Sequence, residues 1–350
     1  MSDTLIYGAN GYTGALVARM AKARGEAPIL AGRNRAEVET LGRALDLPWR
    51  SFSLEDPRAV DDGLSGVAAV LHCAGPFSRT ARPMSDACLR TRTHYLDITG
   101  EVEVFEGLAA CDAEARAAGI LLLPGAGFDV VPSDCLAAHL KRRLPTATRL
   151  ALAFRPVGGL SRGTATTLVE NLHRGGLVRR RGVLTPVPPA FKVRTIDFGR
   201  GPRRAMTIPW GDVSTAYHST GIPDIEVYVA AGAATRIAAR AAGALRPLLR
   251  IAAVQRLLRA RVRAGSPGPT DAERARGRCT LWGEATDDAG GRVVSRIETP
   301  EGYTFTALAA LTILARVRVG DAPAGFRTPS LAYGPDFVLT IPGVSRRDDG

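Results

Sequence analysis

The chain has 350 residues, of which 45% are hydrophobic and 23% are charged, and its formal net charge is +12. This length and composition are typical of a globular protein of about two domains that can bury a full hydrophobic core. The positive charge comes almost entirely from arginine and favours acidic ligands, carrier proteins or anionic lipid surfaces. No nucleic-acid motif and few interleaved aromatic residues accompany it, so we expect no nucleic-acid partner.

Cysteine usage and the amino terminus indicate the compartment. The five cysteines form no Cys-x-x-Cys pair and show no metal-ligand spacing with histidine, so we expect reduced thiols and no metal site. The chain enters its first predicted strand at once, without a charged and then apolar leader. No uncharged apolar run approaches the roughly 18 residues that a membrane span needs. These features predict a cytoplasmic protein without a transmembrane segment.

The first predicted strand, residues 4–7, leads into a glycine-rich turn and then a predicted helix over 15–24. This order suits the pyrophosphate of a dinucleotide, because glycine permits a tight turn, close backbone approach and close helix packing. The N-terminus of the helix adds N–H groups and the positive end of its dipole. The spacing G-x-x-G-x-x-G is usual in reductases of the extended type, although an ordinary strand-to-helix turn is the alternative. The candidate cofactor-binding residues of this turn are Gly8, Asn10, Gly11, Tyr12, Thr13 and Gly14.

A second predicted strand, residues 28–31, ends in Gly32-Arg33-Asn34-Arg35. In such a fold an acidic residue at this tip selects NAD, whereas a basic residue accommodates the 2′-phosphate of NADP. Arg33 lies at the expected distance of about 20 residues past the glycines. We therefore predict NADP(H) as the cofactor, with Arg33 as the main 2′-phosphate ligand and Asn34 beside it. A solvated surface arginine is the alternative interpretation.

Strands and helices alternate through residue 140, which predicts a doubly wound parallel sheet of the Rossmann type. The predicted elements after the second strand are a helix over 35–46, a strand over 49–54, a helix over 56–63, a strand over 67–73, a helix over 82–92, a strand and its exit over 93–101, a helix over 104–118, a strand over 120–124 and a helix opening at 131–134.

Two strand exits carry further candidates, because ligands of open α/β sheets bind beyond the carboxyl ends of the strands. The exit after residue 97 places Asp97, Thr99 and Glu101 near one sheet edge, and we assign Thr99 and Gly100 to the cofactor. The exit of the strand over 67–73 is expected to line the nicotinamide side, unless its Gly-Pro pair only ends the strand. Its candidates are Cys73, Ala74, Gly75, Pro76 and Phe77.

From about residue 146 the strand–helix alternation stops, and a second, α+β domain built on a mainly antiparallel sheet is predicted. We expect this sheet to cover the nicotinamide. A turn at 158–160 precedes a predicted helix over 164–173, residues 179–181 are predicted to be a solvated loop, and a late helix covers 303–319. The predicted strands cover 149–155, 192–198, 203–208, 225–231, 278–287 and 292–299.

Several residues of the second domain are candidates for the substrate side. Ser161 either caps the following helix or binds an anionic substrate group. Tyr217 and His218 precede a glycine turn, and each is able to donate a proton, although a lone histidine is more often structural. Residues 233–264 form a basic, amphipathic helical stretch that either packs on its own domain or contacts a membrane surface or an acidic carrier protein.

Together, these stretches resemble the saccharopine dehydrogenase-like reductases, and most closely the bacterial branch that includes trans-acting enoyl reductases of glycolipid synthesis. In true saccharopine reductases a cysteine precedes the turn at 158–160, where this chain has Val157. The resemblance implies an NADP-binding Rossmann domain and a second domain inserted before the carboxyl terminus. The stretches that carry it are 8–14, 31–33, 72–77, 93–101, 125–134, 161–165, 219–223 and 299–303.

These observations predict a Rossmann domain over 1–145, an α+β substrate domain over 146–324 and a tail over 325–350 that returns to the Rossmann domain. By resemblance, we expect an NADPH-dependent reductase of a small-molecule or acyl C=C bond. The alternatives are a C=O or C=N reductase of the saccharopine type and a non-catalytic NADP-binding protein on lipid surfaces. No catalytic acid is assigned, and the substrate-side candidates are Phe77, Asp129, Ser161, Tyr217 and His218.

Overall fold

A computed structural model shows two compact units, each built from two stretches of sequence. Unit 1 comprises Met1–Val131 and Tyr303–Tyr333, and unit 2 comprises Pro132–Gly302 and Gly334–Gly350. No helix in the described part of the chain has the length and apolar character needed to cross a bilayer. The structure describes residues 3–155, 161–163, 165–166, 175–244 and 251–349.

Unit 1 contains a sheet of seven parallel strands in the order β15-β6-β5-β4-β1-β2-β3. Most of the strands are short apolar runs buried on both faces, as expected where helices cover a parallel sheet, whereas the edge strand β3 is partly exposed. This confirms the predicted doubly wound parallel sheet. The strands are β1 (Asp3–Tyr7), β2 (Ile29–Gly32), β3 (Trp49–Ser51), β4 (Val67–His72), β5 (His94–Asp97), β6 (Leu121–Leu123) and β15 (Gly325–Phe326).

The helices of unit 1 follow the predicted order with two differences. The single helix predicted over 104–118 is two helices, Val102–Ala109 and Asp112–Ala118, and the helix predicted over 82–92 begins earlier. It begins at Phe77 rather than near residue 82, because a side chain distant in sequence, that of Glu101, accepts hydrogen bonds from its first N–H groups. Described helices of this unit are α1 (Tyr12–Ala23), α2 (Arg35–Leu45), α3 (Pro57–Gly63), α4 (Phe77–Thr91), α5 (Val102–Ala109), α6 (Asp112–Ala118), α12 (Gly302–Arg318) and α13 (Pro329–Tyr333); α7 (Val131–Arg143) begins at the boundary with unit 2.

Unit 2 is built on a mixed, mostly antiparallel sheet, which confirms the predicted α+β second domain. The pair β12–β7 is parallel, and a separate hairpin β8–β9 joins the sheet through β12. A core that includes Tyr228 and Trp282 lies on one face. The strands are β7 (Arg149–Arg155), β8 (Gly176–Arg180), β9 (Val183–Val187), β10 (Val193–Asp197), β11 (Pro202–Thr207), β12 (Asp224–Ala230), β13 (Arg278–Thr286), β14 (Arg292–Pro300) and β16 (Ser345–Asp349).

The described part of unit 2 also contains α8 (Asp212–Thr220), α9 (Ala233–Ala244), α10 (Ala252–Ala264), α11 (Asp271–Arg276) and a 3₁₀ turn over Phe337–Thr340. The predicted turn at 158–160, most of the helix predicted over 164–173 and the centre of the basic stretch, residues 245–250, lie outside the described residues.

The solvated loop predicted at 179–181 is corrected by the structure. Arg179 is a buried residue of β8, and Arg181 is at the turn of the β8–β9 hairpin with φ +49°. The Arg179 guanidinium donates to the carbonyl oxygens of Val213 (2.6 Å) and Gly182 (2.7 Å), so its charge is buried with acceptors. Three successive arginines indicated an exposed segment. The sequence could not indicate the burial of Arg179, because one of its acceptors, Val213, lies on a helix far along the chain.

The predicted domain boundaries at 145 and 324 also differ from the structure. Residues 303–324 belong to unit 1, since the helix α12 packs there through residues such as Phe305, whose ring centroid is 6.0 Å from that of Phe128. The tail is divided: β15 extends the parallel sheet, whereas β16 pairs with β14 in unit 2. The residues of β16 are polar, so no apolar pattern in the sequence indicated that this strand pairs with β14.

His72 is a buried polar residue at the end of β4. Its ring is fully buried, and the ring centroids of Phe77, Tyr7 and Tyr95 lie 5.3, 5.6 and 6.3 Å away. Neither ring nitrogen has a hydrogen-bond partner among the described residues. Burial lowers the pKa of His72 to about 3, because the charged imidazolium would lose its hydration.

We predict that His72 makes unit 1 sensitive to acid. The unfolded chain binds a proton here below pH ~6.5, whereas the folded chain binds it only near pH 3, so stability falls as the pH falls between these values. The free energy of unfolding of wild type relative to His72→Phe should therefore fall by about 1.4 kcal/mol per pH unit between pH 6 and 4. Urea unfolding at several pH values measures this difference, and parallel pH profiles for the two proteins would contradict the prediction.

Candidate functional site

The glycine turn (residues 8–14) follows β1 and permits approaches that no other residue allows. Gly8 has φ +80°, and a Cβ placed on it would lie 2.8 Å from the backbone nitrogen of Ala74. A Cβ on Gly14 would lie 2.3 Å from the carbonyl oxygen of Gly8. Both distances are shorter than real Cβ contacts. The glycine turn therefore packs more closely against the chain's own backbone than a residue with a side chain would permit, as the tight turn of a dinucleotide site requires.

The N-terminus of α1 differs from two neighbouring helix N-termini, which are capped by the protein's own side chains. Gly11 precedes α1 and provides no side-chain cap, and the first turn of α1 contains no acidic residue. By contrast, Asn34 caps α2, and the carboxylate of Glu101 accepts from the first N–H groups of α4. An anion is therefore favoured at the start of α1, which has neither a capping side chain at Gly11 nor an acidic residue in its first turn.

The tip of β2 carries the arginine predicted to bind the 2′-phosphate. Arg33 is exposed, and among the described residues no carboxylate pairs with it. It lies near the hydroxyl of Tyr7, whose pKa is raised to about 12 by burial, an effect that the positive charge of Arg33 opposes. Arg35 differs, since its guanidinium lies over the ring of Trp49 at 5.6 Å from the centroid. Arg33 is thus the cation that is available to an anionic ligand at this tip.

Glu37 is a residue of this region that the sequence did not single out. Its two carboxylate oxygens accept from the side-chain amides of Asn10 and Asn34, each at 2.6 Å. Asn10 also covers Gly32, on which a Cβ would lie 2.8 Å from the Asn10 amide oxygen. Glu37 therefore joins the glycine turn to the tip of β2. The spacing of Asn34 and Glu37, typical of a helix cap followed by an acid three residues later, was the signal in the sequence.

The β4 loop (residues 73–77) lies beside the glycine turn. The backbone nitrogen of Cys73 donates to the carbonyl oxygen of Tyr7 at 2.7 Å, and Ala74 is the residue that approaches Gly8. The sheet order reverses between β1 and β4, and ligands of doubly wound sheets bind in the crevice at that point. The loop includes the cis peptide Gly75–Pro76 and ends at Phe77, whose ring packs edge-on against His72.

Asp97 and Thr99 hold the exits of β5 and β6 together. The fully buried Asp97 carboxylate accepts from the Tyr95 hydroxyl at 2.7 Å and from the backbone nitrogens of Thr99 and Gly125 at 2.9 Å. Burial raises the pKa of Asp97 to about 6. Thr99 is also fully buried, and its hydroxyl accepts from the backbone nitrogen of Glu101. The cofactor contacts predicted for Thr99 and for its half-exposed neighbour Gly100 stay predictions.

Asp129 and the helix α12 complete this edge of unit 1. A Cβ on Gly100 would lie 3.1 Å from a carboxylate oxygen of Asp129, whose pKa burial raises to about 6. The Tyr303 ring stands edge-on to that of Tyr12 with centroids 5.0 Å apart, and Thr306 accepts from the backbone nitrogen of Phe128. Sequence reasoning did not assign Tyr303 to this edge, although it ends the 299–303 stretch of the resemblance.

The remaining substrate-side candidates belong to unit 2, whereas Phe77 and Asp129 belong to unit 1. Tyr217 and His218 lie in α8, which ends at Gly221, and the Arg179 guanidinium is 4.1 Å from the centroid of the Tyr217 ring. Ser161 is buried, with an exposed fraction of 4%. The structure thus gives Tyr217 a packing contact in unit 2.

A parallel sheet with a glycine turn at its switch point is the architecture of a Rossmann dinucleotide-binding domain. With Arg33 at the tip of β2, the class that this fold and site define is that of the NADP-dependent oxidoreductases. Residues 4–123 match the model of the family described as the saccharopine dehydrogenase NADP binding domain. NADP(H) is accordingly the cofactor expected at this site.

Curated relatives match part of the chain. A trans-acting enoyl reductase of Mycobacterium leprae is 32% identical over 150 residues, which are 41% of this chain and 36% of that protein. A trans-acting enoyl reductase of Mycobacterium ulcerans is 31% identical over 149 residues, covering 40% of this chain and 36% of that protein. The match therefore spans little more than a third of the length of these relatives.

A solved structure resembles the whole chain in fold. Saccharopine dehydrogenase (L-Glu forming) from Saccharomyces cerevisiae superposes with a TM-score of 0.70, covers 100% of both chains and is 11% identical. At this identity the likeness shows the fold alone.

We predict that Arg33→Ala separates the two coenzymes. A hydrogen bond to a charged group contributes about 1.5–3 kcal/mol, so the variant should bind NADPH about 10- to 150-fold more weakly and bind NADH almost unchanged. Titration of nucleotide fluorescence measures both dissociation constants. Arg35→Ala is the matched control, because that guanidinium already lies on Trp49 and should leave the preference for NADPH intact. An equal loss of affinity for NADPH and NADH in Arg33→Ala would contradict the assignment of Arg33 to the 2′-phosphate.

Proposed function

We propose that this protein is an NADPH-dependent reductase that transfers hydride to the C=C bond of an acyl, enoyl-type substrate. The observation that carries the proposal is the tight glycine turn at the start of α1 beside Arg33, which has no carboxylate partner among the described residues; this arrangement suits a nucleotide with a 2′-phosphate. The choice of a C=C bond is supported by the relatives named trans-acting enoyl reductase, whose similarity to this chain is partial.

The proposed roles of the residues follow from their positions at the carboxyl edge of the sheet. NADPH, when bound, supplies the hydride. The glycine turn and the N-terminus of α1 would bind the pyrophosphate, and Arg33 would bind the 2′-phosphate. The β4 loop would line the nicotinamide side. Asp129 and Phe77 lie toward the substrate in this proposal. Because burial raises the pKa of Asp129 to about 6, its carboxyl keeps a proton to a higher pH than an ordinary aspartate does.

Ser161, Tyr217 and His218 are proposed for the substrate side as the contribution of unit 2. Tyr217 and His218 are neighbours on α8, with ring centroids 6.1 Å apart, and either is chemically able to donate a proton to a reduced carbon. Tyr217→Phe and His218→Gln each remove one such donor with little change in shape, so comparing their turnover numbers would distinguish a proton donor from a packing residue.

A substrate panel tests the reaction. We expect an enoyl thioester to oxidise NADPH, and deuterated NADPH to leave one deuterium on carbon in the product, as mass spectrometry would show. Arg33→Ala is the control, since it should raise the NADPH concentration needed for half-maximal rate. Ketone and imine substrates, including saccharopine, run in parallel. Turnover of these in place of the enoyl substrate would replace the proposal with the C=O or C=N alternative, and no turnover at all would reject a reductase.

A second candidate function is contact with an anionic lipid surface through residues 233–264. Ile237 on α9 and Leu257 on α10 have exposed fractions of 68% and 61%, and Ile251 has 47%. The opposite face of α10 packs inward, as the 9% exposure of Gln255 shows. The sequence from 227 to 270 contains eight arginines and no acidic residue. Bulky apolar side chains exposed among arginines are typical of helices that lie on anionic membranes.

We predict that the protein cosediments with vesicles of anionic lipid and less with neutral vesicles, and that salt weakens this binding because it screens exposed charges. The double variant Ile237→Ser, Leu257→Ser should reduce binding to anionic vesicles and leave the dissociation constant of NADPH unchanged.

Val319→Ser is the matched control for this experiment, since Val319 has an exposed fraction of 81% and lies in unit 1. Equal binding of the double variant and of wild type would contradict the lipid contact. Binding to an acyl-carrier protein, without binding to vesicles, would identify the same surface as a carrier site.

A further inference from the structure

Glu101 occupies the N-terminus of α4 with a nearly buried carboxylate. One of its oxygens accepts from the backbone nitrogen of Phe77 at 2.8 Å, and the other accepts from that of Ser78 at 2.9 Å. The residue has an exposed fraction of 9%. The first N–H groups of a helix have no acceptor within the helix, and a negative charge is favourable beside them. The pair of bonds therefore fixes the first turn of α4.

The position of Glu101 is itself fixed from the end of β5. Its backbone nitrogen donates to the hydroxyl of Thr99 at 3.0 Å, and the backbone nitrogen of Thr99 donates to the carboxylate of Asp97 at 2.9 Å. Asp97 and Thr99 are fully buried. These two hydrogen bonds connect the buried end of β5 to Glu101, which in turn binds the first turn of α4. The Glu101 carboxylate therefore has little freedom to follow a displaced β4 loop.

The first turn of α4 controls where the β4 loop lies. Thr80, on this turn, donates from its hydroxyl to the carbonyl oxygen of Ala74 at 2.7 Å. Ala74 is the residue against which Gly8 is packed, at a distance that excludes a Cβ on Gly8. A movement of this turn would therefore shift Ala74 relative to the glycine turn.

We propose that Glu101 is a positioning residue for the cofactor. It closes the N-terminus of α4 and so holds the β4 loop against the glycine turn. Its effect is exerted on the nicotinamide half of the nucleotide, because the β4 loop lies away from the tip of β2, where the 2′-phosphate would bind. This inference rests on the proposed cofactor site and not on the identity of the substrate.

Ligands that report on each half of the nucleotide test the proposal in the full-length protein. Glu101→Ala should bind NADPH about 10-fold more weakly or worse, because two hydrogen bonds to a charged group are lost. The same variant should bind 2′,5′-ADP, which lacks the nicotinamide, within about twofold of wild type. The emission spectrum of bound NADPH should also move toward that of the free nucleotide, a signature that a merely structural role would not produce.

Two further variants keep the test decisive. Glu101→Gln retains one acceptor oxygen, so its loss of NADPH affinity should lie between those of wild type and Glu101→Ala, and it serves if Glu101→Ala does not fold. Glu103→Gln is the matched control, because this glutamate is exposed and lies two residues further along, in the first turn of α5. It should bind both ligands as wild type does.

The outcomes separate this inference from the cofactor assignment. Unchanged NADPH affinity in both Glu101 variants would overturn the positioning role. Equal losses of affinity for NADPH and for 2′,5′-ADP would overturn it as well, because they indicate a general loss of structure. Each of these results leaves the cofactor assignment standing if wild type binds NADPH tightly. A wild-type protein that does not bind NADPH would overturn the cofactor assignment and this inference together.

Discussion

The contact between Gly8 and Ala74 is the constraint on which the cofactor site depends. It brings the exit of β1 against the exit of β4, at the point where the strand order of the sheet reverses. Since a Cβ on Gly8 would meet the Ala74 backbone at 2.8 Å, the two exits come together only because this position has no side chain. Gly14 adds a second close approach, since a Cβ on it would lie 2.3 Å from the carbonyl oxygen of Gly8, so α1 begins directly against the end of β1.

The distribution of negative charge around the site follows from the same arrangement. Three helices, α1, α2 and α4, start near one edge of the sheet. Asn34 caps α2, whose first turn contains Glu37, and the carboxylate of Glu101 accepts from the first N–H groups of α4. Each carboxylate is engaged by two donors, whereas α1 has no acid in its first turn. The protein thus supplies anions to two helix starts and leaves the third for a ligand. This selectivity is a property of the set of helices and cannot be read from the glycine turn alone.

Local features of the fold were predictable from the sequence, and long-range ones were not. The glycine spacing, the basic tip at Arg33 and six strands of unit 2 depend on short patterns of residues. Those six strands begin and end within a few residues of the predicted bounds, whereas β8 and β9 were not predicted. The start of α4 depends on Glu101, which is 24 residues from the donor at Phe77, so no local pattern indicates it. The burial of Arg179 and the pairing of β16 depend in the same way on partners distant in the chain.

The division of unit 1 into two stretches of sequence has a consequence for how the protein is made. β15 is the outer strand beside β6, and α12 packs on the same unit through Phe305. The ribosome synthesises α12 and β15 only after almost all of unit 2. During the synthesis of some two hundred residues, the nascent parallel sheet therefore has its β6 edge unpaired. Uncovered strand edges are templates for aggregation. A fragment containing only residues 4–123 would keep that open edge permanently, which makes the intact chain the smallest sensible unit for expression.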